Sequence, residues 1–102
     1  MNDAELNAAI AARPAAKVTP ERISEVIVGE AYHRLTETLT VCVLTLANGF
    51  TVTGESACAS PANYDETIGN ALARKQAESK VWGLEGYLLR EKLALADLRQ
   101  SA

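Results

Sequence analysis

The stretch "LTVCVLTLANGFTVTGES", Leu39 to Ser56, constrains this chain more than any other. An alternating run leads into Asn48-Gly49, and a second alternating run begins at Phe50. Asn-Gly favours the tight, positive-φ turns that join antiparallel strands, so the segment reads as a hairpin. In the first run Leu39, Val41, Val43 and Thr45 share one face, and Thr40, Cys42, Leu44 and Leu46 share the other. Apolar residues on both faces predict a central strand packed on each side. On the return, Phe50, Val52 and Gly54 alternate with Thr51, Thr53 and Glu55. A further strand near Glu30 to Arg34 completes a three-stranded antiparallel sheet.

Helical patterns lie on both sides of this sheet. Thr19 can cap a short helix, Pro20 suits its first position, and Ile23, Val26 and Ile27 line one face. Gly29 can end that helix. Residues 1–18 form an N-terminal arm, weakly ordered or helical, with Asn2 or Asp3 available to cap. Asp65 to about Val81 reads as helix, with Asn63 or Asp65 as its cap. Gly83 and Gly86 follow, and each interior glycine costs about 1 kcal/mol, which predicts a kink or break. A last helix from Leu84 to about Arg99 carries more leucine than one narrow stripe needs, so it is expected to meet a neighbouring subunit. The expected fold is α+β: a short N-terminal helix, a three-stranded antiparallel sheet and two C-terminal helices. Residues 19–102 form the single domain, in a homo-oligomer that is a dimer or a trimer of dimers.

Composition excludes several functions. The chain has 102 residues and a net charge of −3, which suits one domain and argues against coating a DNA or RNA polymer. No leader and no membrane-length apolar run is evident. Cys42 and Cys58 could pair by count, but thiols in a reducing cytosol are the expectation. His33 is the single histidine, which gives a metal site no support. A Cys58 nucleophile with His33 as base lacks any supporting signature, so neither enzyme activity nor a cofactor is expected.

Candidate binding residues each have a plainer structural role. Phe50 can stack on a base, or fill the core. Asn63 and Asp65 can bond ribose hydroxyls, or cap a helix. Arg74, with Lys75 and Lys80 nearby, can neutralise phosphate, or pair with Glu78 along a solvated helix face. Together an aromatic, an Asn-x-Asp element and helix cations make a kit for a nucleotide.

The run from Leu39 to Leu89 resembles the small phage protein family named after gene forty-nine of phage N4 and gene sixty-six of phage Sf6. The resemblance rests on Thr40, Cys42, Leu44, Leu46, Asn48-Gly49-Phe50, Val52, Gly54, Ser56-Ala57, Pro61-Ala62-Asn63-Tyr64 and Trp82 to Leu89. Gly83 stands where that family usually has proline. The layout is also similar to the first type of Thoeris anti-defence protein. That likeness implies an oligomeric phage sponge in the cytoplasm of the infected host, which binds a cyclic ADP-ribose isomer, or cyclic oligonucleotides, at subunit interfaces without chemistry. It implies an aromatic and a helix arginine around adenine, for which Phe50 and Arg74 are the candidates, and a polar loop on the ribose, matched by Asn63-Tyr64-Asp65. The alternative is an accessory module that blocks a host protein through the leucine-rich last helix.

Overall fold

A computed structural model describes residues 1–101. Helices α1 (Asp3–Ala11) and α2 (Pro20–Val26) precede strands β1 (Ile27–Arg34), β2 (Leu39–Leu46) and β3 (Thr51–Ala57). A 3-10 turn at Pro61–Asn63 then leads into one long helix, α3 (Glu66–Ser101). The sheet is antiparallel, in the order β1-β2-β3. The α+β class, the short N-terminal helix and the three-stranded antiparallel sheet are as the sequence predicts.

Local chemistry explains most of the boundaries. Asn2 caps α1 by accepting from the Glu5 amide at 2.7 Å. Thr19 caps α2 by accepting from the Arg22 amide at 3.1 Å, with Pro20 next to it. Helix α2 does not run to Gly29: the chain turns extended at Ile27, and Gly29 pairs with Thr45 inside β1. At the hairpin tip Gly49 holds φ of 89°, the left-handed conformation that glycine tolerates, and Asn48 Oδ1 accepts from the Phe50 amide at 2.9 Å.

The core lies between the sheet and the first half of α3. Cys42, Leu44, Leu46 and Val52 meet Ala73, Ala77 and Val81, with Ile23 and Val26 closing one end. Helix and strand approach very closely. A Cβ placed on Gly54 would overlap the Ala73 carbonyl oxygen and the Ala77 amide, and would lie 2.9 Å from Ala77 Cα. Glycine on the strand and alanine on the helix are the residues that permit this contact.

Two expectations are corrected. The sheet is packed on one face only: Leu39, Val41, Val43 and Thr45 stay half-buried, while their neighbours Thr40, Cys42, Leu44 and Leu46 are buried under α3. The expected pair of C-terminal helices is a single helix of 36 residues, about 54 Å long. Gly83 and Gly86 keep negative φ, and a Cβ at either would meet nothing within 4 Å. Backbone hydrogen bonds and the good helix formers around them carry the helix through. No helix among the described residues is long and apolar enough to cross a membrane.

Candidate functional site

The loop after β3 folds back against the start of α3 and builds a small crevice of mixed polar and apolar lining, with Ile68 and Leu72 on the helix side. Asp65 supplies the helix cap, its Oδ1 accepting from the Ile68 amide at 3.0 Å. Asn63 belongs to the 3-10 turn, where its own amide donates to the Ser60 carbonyl at 3.0 Å. Of the two candidate caps, Asp65 makes the capping bond and Asn63 does not. Ser56 Oγ donates to the Gly69 carbonyl at 2.7 Å, and the Thr40 hydroxyl lies 3.4 Å from the Tyr64 hydroxyl. A Cβ on Gly69 would sit 2.9 Å from Thr40 Oγ1, so glycine here lets the first turn of α3 close on the sheet. Thr38, Thr40, Ser56, Asn63, Tyr64 and Asp65 line a cavity of about 60 Å³. That space holds water rather than a ring system.

Above the crevice the Arg34 guanidinium lies 3.6 Å from the centroid of the Tyr64 ring. This is a cation–π contact at the end of β1. Arg34 Nη2 also donates to the Glu37 carbonyl at 2.6 Å, which fixes the plane of the guanidinium. Arg34 is exposed, and a guanidinium held flat in this way can stack on a planar partner.

The four residues singled out by the sequence do not form one pocket within a chain. Asn63 and Asp65 line the crevice. Phe50 lies at the other end of β3, roughly 20 Å away at about 3.3 Å per residue. It is not a core residue: 55% of it is exposed, and it borders an apolar groove of about 270 Å³ with Leu46, Leu84, Tyr87 and Leu88. At that groove Arg22 Nε donates to Glu85 Oε2 at 3.0 Å, and Glu85 is buried. The same bond, with the charge of Glu85, raises the pKa of Arg22.

Arg74 sits in the first third of α3, between Glu78 of the same helix and the β1 edge. Its Nε donates to Glu78 at 2.6 Å, and its Nη1 bonds Glu30. Burial alone would lower the Arg74 pKa, but the Tyr32 hydroxyl and the carboxylates of Glu78 and Glu30 raise it further than burial lowers it. Arg74 is therefore a cation already matched by two anions, as the helix-face reading anticipates for Glu78. Burial also pushes up the Tyr32 phenol and the Cys42 thiol. Cys42 and Cys58 are both free thiols. Among the described residues no cluster of His, Cys, Asp and Glu is arranged to hold a metal.

Sequence reasoning missed Arg34 as a site residue and treated Tyr64 only as part of a motif. Arg34 carries no local signal, because its partner is 30 positions away and only the sheet brings them together. No curated protein and no solved structure matches this chain. A family model does: the phage protein (N4 Gp49/phage Sf6 gene 66) family matches residues 18–93, from the residue before the α2 cap to beyond the middle of α3. The match spans well over half of the 102 residues, and the chain belongs to that phage protein family.

Proposed function

We propose that this phage-family protein binds and sequesters a cyclic nucleotide immune signal, a cyclic ADP-ribose isomer or a cyclic oligonucleotide, without transforming it. The observation that carries the reading is the Arg34–Tyr64 stack beside a crevice that holds Thr38, Asn63 and Asp65 among apolar neighbours such as Ile68 and Leu72. A guanidinium plane held on an aromatic ring stacks with a base and offers positive charge to phosphate. The Asn63 carboxamide and the Thr38 hydroxyl offer donors and acceptors to ribose. The crevice itself is too small for a nucleotide, so the ligand lies across its rim. Phe50 and Arg74 lie outside that rim: Phe50 borders the apolar groove, and Arg74 is paired with Glu30 and Glu78.

Calorimetric titration with cyclic ADP-ribose isomers and cyclic dinucleotides tests the reading. Binding is expected for at least one of them, with a loss of tenfold or more in Asn63→Ala and in Arg34→Ala. The absence of binding by all of them at high micromolar protein rejects it. Heating the complex and recovering the ligand unchanged separates sequestration from degradation.

A further inference from the structure

The buried positions of α3 are Ala73, Ala77, Val81 and Glu85, a stripe with a step of four, and Leu84 is the last leucine packed against the core. Residues 86–101 project about 24 Å further at 1.5 Å per residue. On them Tyr87, Leu88, Leu95 and Leu98 are exposed, at 70%, 47%, 46% and 66%. Helices in proteins owe most of their stability to an apolar face that packs, and this face lacks its partner within the chain.

The geometry points to a second copy of this chain as the occupant, its α3 lying antiparallel on this one. Leu84, Leu88, Leu95 and Leu98 step by four, seven and three, the spacing of a coiled-coil seam. The surface also contains both halves of a self-complementary contact. Near the root of the overhang, Leu84, Leu88, Tyr87 and Phe50 border the groove of about 270 Å³, large enough for leucine side chains. Near its tip, Leu95 and Leu98 are exposed leucines with no groove of their own. A two-fold axis near Glu91 places the tip leucines of each copy in the root groove of the other, an isologous contact made twice. At the axis each Glu91 lies beside the partner's Glu91, with Arg90 and Lys92 of both copies flanking that pair. A parallel pair would instead set tip leucines against tip leucines and leave both grooves open.

This pairing does not need the ligand, so it and the proposed function fail separately. Light scattering on the full chain without nucleotide is expected to give twice the chain mass or an even multiple of it. Leu95→Asp with Leu98→Asp should halve that mass while the helical circular dichroism persists. Leu88→Asp, at the root, should do the same. In a Cys58→Ser background, Glu91→Cys should cross-link to itself under mild oxidation and Leu98→Cys should not. A monomeric wild type overturns the inference. So does self-linking by Leu98→Cys, which reports a parallel pair, or an assembly that only Val43→Asp on the open sheet face breaks.

Discussion

The two halves of α3 follow opposite rules along one continuous helix. Where α3 lies on the sheet its inward residues are Ala73 and Ala77, opposite Gly54. Where it leaves the sheet its large apolar residues are leucines and a tyrosine, of which Tyr87, Leu88, Leu93, Leu95 and Leu98 are exposed. Small residues let two backbones meet; large ones reach for a surface that the chain does not contain. The contrast teaches that an apolar helix face should be read by side-chain size as well as by period. Alanine marks contact already made, and leucine beyond the end of a sheet marks contact still to be made.

Substitutions can break that contrast or sharpen it. Gly54→Val has the largest expected effect, a loss of more than about 3 kcal/mol, because the atoms in the way are helix backbone that cannot step aside. Urea denaturation reads it, and a loss below about 1 kcal/mol would show that the helix slides. A matched pair comes next. Leu44→Ala, under the proximal half, should cost about 3 kcal/mol. Leu98→Ala, on the overhang, should cost under about 0.5 kcal/mol in protein dilute enough to be monomeric. Equal losses would mean that the overhang packs within its own chain.

Gly83→Ala and Gly86→Ala should each stabilise by up to about 1 kcal/mol, since neither Cβ meets a neighbour and both positions are helical. Thermal melts should rise by a few degrees; a fall in either would place a break where α3 runs straight. The smallest effect is in pH. Burial holds the Tyr32 phenol above the usual tyrosine range. The unfolded chain then releases this proton first, so the contribution is complete below a pH of about 10 and is lost as pH rises past it. Denaturation midpoints of wild type and Tyr32→Phe should diverge above that pH and run parallel below it.

The sheet was legible because its signals are local. Period-two alternation and Asn48-Gly49 state strands and turn without help from elsewhere, and Thr19-Pro20 states the start of α2. The open back of the sheet was not legible, since Val41 and Val43 look alike whether a helix or another molecule covers them. Gly83 and Gly86 misled for a different reason. Their propensity cost is real but small beside the hydrogen bonds of a long helix, and only a proline at position 83 would have removed one of those bonds. In the candidate site, Asn63 and Asp65 stand together because they are neighbours in sequence. Arg34 on Tyr64, and Arg74 between Glu30 and Glu78, depend on the pairing of strands and on the rotation of α3, which no short window contains.

That rotation has a mechanical consequence. At Gly54 the helix and the strand touch backbone to backbone. Any roll of α3 would bring Leu72 or Arg74 toward β3, where there is no room even for a Cβ. The helix is therefore keyed like a shaft in a slot. A single glycine on β3 sets the azimuth of Leu95 and Leu98, roughly 30 Å away along the helix at 1.5 Å per residue, so an error of a few degrees at the slot would turn the tip leucines to a different bearing.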